Sequence, residues 1–98
     1  MFTLFKSEVF SKWFHAQEKV VRARVDARLV RLEQGYFGDV KYLGGGVSEL
    51  KFRFLSGIRV YFMRDGRDVI ILLGGGDKGS QKKDVMEAQK LARLSMEK

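Results

Sequence analysis

The chain has no cysteine and no proline, and only one histidine and one tryptophan. Without cysteine, neither a disulfide framework nor a thiolate zinc site can hold the fold together. With His15 as the sole imidazole, a paired-histidine ribonuclease of the pancreatic kind is excluded; His15 reads as a partly exposed helix residue. No metal-ligand spacing occurs along the sequence, so neither a metal nor a cofactor is expected. No apolar window approaches the length of a membrane span. The start, MFTLFKSEVF, lacks the basic region and small-residue cleavage site of a secretory signal. A cytoplasmic location and no membrane partner are therefore expected.

What the chain has in excess is positive charge. Nineteen Lys and Arg against twelve Asp and Glu give a net charge of +7 over 98 residues. Such an excess on a small domain favours a polyanionic partner, nucleic acid foremost. With 45% hydrophobic residues, the length suits one domain over 1–98 with one core.

Hydrophobic periodicity divides the chain. Residues 2–5 suit a short first strand. From Ser7, placed as an N-cap, Phe10, Trp13 and Phe14 recur at helical spacing. A second helix over about 18–34 carries Val21, Val25, Leu29 and Leu32 on one stripe, with Lys19, Arg22, Arg24, Arg28 and Arg31 mostly off it; Gly35 ends it. After GYFGDVKYLGGG the period becomes two. In VSELKFRF, Leu50, Phe52 and Phe54 point one way and Glu49, Lys51 and Arg53 the other. In GIRVYF, Ile58, Val60 and Phe62 oppose Arg59 and Tyr61. Ser56–Gly57 and Asp65–Gly66 are hairpin turns. DVIILL, without alternation, reads as a strand covered on both faces. A last helix over about 80–96 places Val85, Ala88, Leu91, Ala92 and Ser95 together. The expected class is α+β: an N-terminal helical hairpin packed on a small, mostly antiparallel sheet, followed by a C-terminal helix. The sheet face away from the hairpin is expected to be open and cationic.

GGGDKGSQKKD, residues 74–84, invites comparison with phosphate-binding glycine loops. A Walker loop requires Gly-Lys-Ser/Thr, whereas this chain has Asp77-Lys78-Gly79-Ser80. A dinucleotide fingerprint requires a parallel βαβ unit, whereas these strands are joined by hairpins. The segment instead brings Asp77 and Lys78 to the rim of the cationic face.

That face, with Lys51, Arg53, Arg59 and Tyr61, has the composition of a phosphate platform with one aromatic for stacking. Like charges on adjacent strands repel unless an anion joins them. Cleavage of RNA is within this inventory. The 2′-hydroxyl attacks the adjacent phosphorus while Lys and Arg stabilise the dianionic phosphorane, and Glu49, Lys51 and Asp77 are candidate bases. The basic side of helix 2, with Arg28 and Arg31, is suited to tracking a phosphate backbone. Arg53 and Arg64 join these two as RNA-binding candidates.

In order along the chain, RARVDARLVRLEQG, GYFGDVKYLGGGVSELKF, SGIRVYF and LLGGGDKGSQKKDVMEAQKLA resemble the HigB-like addiction-module killer proteins of the RelE/ParE toxin superfamily. The resemblance covers nearly the whole chain. It implies a RelE-like fold and a type II toxin neutralised by an antitoxin, often a helix-turn-helix protein. It further implies a ribosome-dependent endonuclease that cleaves mRNA in the ribosomal A site and thereby inhibits translation. Carried over by position, Lys51, Arg53 and Arg59 would hold and polarise the phosphate, Lys78 would complete the site, and Tyr61 would stack on a base or relay a proton. Two alternatives stay open: a gyrase poison of the ParE branch, and an RNA-binding module without catalysis.

Overall fold

The structure is a computed structural model that describes residues 1–53 and 57–96. Eight elements follow one another: β1 (Thr3–Lys6), α1 (Glu8–His15), α2 (Lys19–Glu33), β2 (Val40–Gly44), β3 (Val47–Phe52), β4 (Ile58–Asp65), β5 (Val69–Gly76) and α3 (Gln81–Met96). The strands form one mixed sheet in the order β1-β5-β4-β3-β2. Only β1 runs parallel to its neighbour, pairing Thr3 with Val69 and Lys6 with Leu72.

Local chemistry fixes the element ends. The Ser7 hydroxyl accepts a 3.0 Å hydrogen bond from the Phe10 amide and caps α1. At the end of α2, Gly35 N–H donates to the Leu32 carbonyl and Tyr36 N–H to the Arg31 carbonyl, with Gly35 at φ 92°. This paired closure satisfies two orphan carbonyls and needs a residue tolerant of positive φ.

The strand β2 was not expected from the sequence. Gly45 and Gly46, both at positive φ, make the tight turn that returns VKYL onto VSEL. Two left-handed central residues match the twist of an antiparallel hairpin. Phe54, Ser56 and the final Glu97 and Lys98, which the sequence reading placed in a strand, a turn and a tail, lie outside the described residues.

Two apolar layers sandwich the sheet. Phe10, Phe14, Val25, Leu29 and Leu32 from the helical hairpin pack on Leu50, Phe52, Val60, Phe62, Ile70 and Leu72. On the opposite face, Ala88 and Ala92 of α3 pack with Val47, Tyr61, Met63 and Leu73. The residues of β5 therefore alternate between two cores, as an unbroken apolar run requires.

The second layer corrects one expectation. The face carrying Glu49 and Tyr61 is not open: α3 lies across it, and both residues are fully buried. The apolar stripe of α3 would otherwise face water, and the sheet offers it a matching surface. What stays accessible is the end of that face beyond the start of α3.

Candidate nucleic-acid interface

At that end, β3 and β4 are paired so that Lys51 stands directly opposite Arg59 and Glu49 opposite Tyr61. Lys51, Arg53, Arg59 and Lys78 line one cleft of about 530 Å³, together with Asp39, Phe52, Gly57 and Ile58. Three segments supply the cations: the end of β3, the start of β4 and the loop between β5 and α3. Lys51 thus faces a like charge across the strand pair, one that is itself paired with the Glu49 carboxylate.

The cations are held differently. Arg53 is 84% exposed at its side chain and donates through Nε to Asp39 Oδ2 at 2.8 Å. Arg59 is only 11% exposed. Its Nη1 donates to the Gly57 carbonyl at 2.6 Å, and its Nε lies 2.5 Å from Glu49 Oε1. Gln81 of α3 donates to the same Glu49 oxygen at 2.9 Å. A buried carboxylate is unfavourable by several kcal/mol unless paired; these two partners pair Oε1, while Oε2 has no hydrogen-bond partner among the described residues.

Tyr61 lies behind the cleft. Its hydroxyl is buried without a hydrogen-bond partner among the described residues. Burial pushes its phenol well above the ordinary value of 10.0, and the carboxylates of Glu49 and Asp84 push it further. A ring enclosed by α3 cannot stack on a base, so the stacking role expected for Tyr61 is not available to it.

The glycines of β5 are explained by packing. A Cβ on Gly75 would overlap the Trp13 indole, and one on Gly76 would overlap Asp84 and Ser80. Small residues here let α1 and the start of α3 approach the strand closely. The next turn is tied by Asp77 Oδ1, which accepts from the Ser80 amide at 3.1 Å, and by Ser80 Oγ, 2.5 Å from Asp84 Oδ2. Asp77 is thereby a loop anchor, and Lys78 is carried to the cleft beside it.

The remaining candidates lie elsewhere. Arg28 bridges from α2 to the sheet: Nη1 donates to the Lys51 carbonyl at 2.7 Å, Nη2 to the Phe37 carbonyl at 3.3 Å, and the guanidinium lies 4.8 Å from the Phe52 ring centroid. Burial lowers its pKa from the usual arginine value, with Asp39 pulling it back up. Arg28 thus buttresses the cleft from behind. Arg31 is exposed in the last turn of α2. Arg64, near the far end of β4, covers the rings of Phe2 and Phe37 on the helical-hairpin face. His15 is exposed at the end of α1 and is not a cleft residue. Sequence reasoning missed Asp39 as a cleft residue; its place in the G-D-V-K match was the only signal. Among the described residues, no three His, Asp or Glu are grouped to hold a metal ion.

Residues 12–95 match the family described as phage derived protein Gp49-like. The chain belongs to that family. This Gp49-like chain is 38% identical over 85 residues to an uncharacterised protein of Haemophilus influenzae, covering 86% of each. Its fold is that of the Escherichia coli toxin RelE. A free-state RelE carrying two arginine-to-alanine substitutions superposes with a TM-score of 0.74 at 24% identity, over 91% of this chain and 95% of that one. The isolated RelE toxin gives 0.67 at 20% identity, over 88% and 97%. A chain of the intact E. coli RelBE toxin–antitoxin complex gives 0.64 at 18%, over 79% and 96%. No helix among the described residues is long and apolar enough to cross a membrane.

Proposed function

We propose that this Gp49-like protein is the toxin of a type II toxin–antitoxin pair, a HigB-like endoribonuclease of the RelE/ParE superfamily that cuts mRNA in the ribosomal A site. The observation that carries the reading is the four-cation cleft of Lys51, Arg53, Arg59 and Lys78 on a RelE-like sheet. The reaction class follows from the groups present. Attack of a 2′-hydroxyl on the adjacent phosphorus places two negative charges on the phosphorane, and fixed cations offset them best where water is limited. Arg59 and Lys51, facing each other across the strand pair, bracket the phosphate. One of Lys51 and Lys78, as the free amine, takes the 2′-hydroxyl proton as the 2′-oxygen bonds to phosphorus, and the other, as the ammonium, protonates the 5′-oxygen as its bond to phosphorus breaks.

The ribosome supplies what the cleft lacks. Messenger RNA in the A site arrives with its backbone ordered, so proximity contributes where acid–base equipment is sparse. The +7 charge draws the protein to ribosomal RNA. The partners are then mRNA, the ribosome and a cognate antitoxin, with a helix-turn-helix protein the expected type, and the working location is the cytoplasm. RelE's presence in the RelBE complex supports an antitoxin partner.

The test is translation of a reporter in a purified bacterial system. Wild-type protein is expected to stop synthesis, and Lys51→Ala to leave it running. If wild type and Lys51→Ala inhibit equally, the cleft is not the site. Inhibition of DNA supercoiling with translation intact would select the gyrase-poison alternative.

A further inference from the structure

We propose that Glu49 is a positioning residue for Arg59, a buried carboxylate that fixes the guanidinium in one orientation on the cleft wall, with Gln81 fixing the carboxylate in turn. The inference rests on the cleft being the phosphate site. It assigns Glu49 a role different from that of a base, because its side chain is 1% exposed and cannot reach a 2′-hydroxyl in the cleft.

Three elements meet at this point. Glu49 comes from β3, Arg59 from β4 and Gln81 from the first turn of α3. Glu49 Oε1 forms an ion pair with Arg59, 2.5 Å from Nε though outside hydrogen-bond geometry, and accepts from Gln81 Nε2 at 2.9 Å, while Arg59 Nη1 donates to the Gly57 carbonyl at 2.6 Å. One hydrogen bond, through Nη1, and one ion-pair contact beside Nε therefore hold the guanidinium. These two contacts restrict the planar fork, and Arg59 lines the cleft that an anion would enter. An arginine free in solvent would lose rotamer entropy on gripping a phosphate. Here that ordering is complete once the protein has folded, which is the condition for electrostatic preorganisation.

Stability alone is a weak reason for such a pair. Apolar side chains of similar volume are often as stabilising as a buried ion pair, and Glu49 is the one buried charged residue among those described. Its neighbours in the cleft, Arg53 and Lys78, are exposed and carry no comparable brace. Arg59 is thus the rigid member of the set, and Glu49 with Gln81 is what makes it rigid.

The experiment uses the full chain, ¹⁵N-labelled, with proton exchange at the Arg59 Nε–H followed by NMR. In Glu49→Gln that exchange is expected to accelerate about tenfold or more while the backbone spectrum persists, and in Gln81→Ala to accelerate by less. In ribosome-dependent cleavage, Glu49→Gln is expected to lower kcat about tenfold with KM unchanged, the scale seen when a supporting residue is removed. In an Arg59→Ala background it should have no further effect. Unchanged Arg59 exchange in Glu49→Gln, or an equal loss of cleavage with and without Arg59, would overturn the proposal. Should Glu49→Gln fail to fold, Gln81→Ala decides the matter by the same exchange measurement. If the wild type cleaves nothing, the nuclease reading falls, and the exchange data still decide whether Glu49 positions Arg59.

Discussion

Arg59 Nε lies 2.5 Å from Glu49 Oε1, with both side chains nearly excluded from solvent. Removing the cation therefore strands a buried carboxylate. Arg59→Ala is expected to lose about 3 kcal/mol of stability. In a domain of this size that lowers Tm by more than about 10 °C. Adding Glu49→Gln to Arg59→Ala should recover part of the loss. Thermal unfolding of the two single variants and the double variant checks this; an Arg59→Ala protein as stable as wild type would contradict it. Lys51→Ala, which strands no buried charge, is the cleaner probe of chemistry.

Tyr61→Phe should be neutral or stabilising by about 1 kcal/mol, since it removes a buried hydroxyl that has no hydrogen-bond partner among the described residues. It should also retain cleavage. The pH dependence follows from the raised phenol pKa. Folding favours the protonated form, so the contribution is fully present below the unfolded value near 10.0 and is lost as pH rises through the higher folded value. The difference between urea melts of wild type and Tyr61→Phe should therefore be constant up to about pH 10 and grow above it, with wild type losing more.

Gly57→Ala tests the cleft wall. Gly57 sits at φ 86°, where a Cβ would stand 2.9 Å from Arg59 Nη1 and 3.0 Å from Lys78 Cβ. The backbone penalty is about 1–2 kcal/mol. The larger expected effect is on cleavage, because the added methyl displaces two cleft cations together. Cleavage at wild-type rate would refute the close packing of this wall.

Much of the architecture was legible because apolar spacing maps directly onto faces. The alternation in β3 and β4, the Ser7 cap, the Gly35 stop and the Asp65–Gly66 turn all took the places their chemistry dictates. The strand β2 was missed because three glycines read as a loop, although two of them make the hairpin turn. Of the site, Lys51, Arg53, Arg59 and Lys78 do converge. Glu49 and Tyr61 share their face in the strand pattern, yet alternation shows only which face a residue takes, not what later covers it. That α3 buries these two is a tertiary fact. The separation of Arg64 from the cleft is likewise invisible in sequence, since it depends on which end of β4 the cleft occupies.

Arg28→Lys should be no substitute for Arg28. A lysine ammonium cannot span the Lys51 and Phe37 carbonyls while lying over Phe52. A loss of about 1 kcal/mol is expected from the part-buried carbonyls that lose their donor. Chemical denaturation measures it, and a lysine variant of wild-type stability would contradict the bridging role.

Cutting of mRNA on the ribosome by the cationic cleft has a direct readout. Primer extension on a reporter mRNA, translated in a purified system with and without ribosomes, tests it most directly. New 5′ ends in register with codons, present only with ribosomes and absent with Lys51→Ala, are the predicted result. Intact mRNA under wild-type protein, or ends that persist unchanged in Lys51→Ala, would contradict the account.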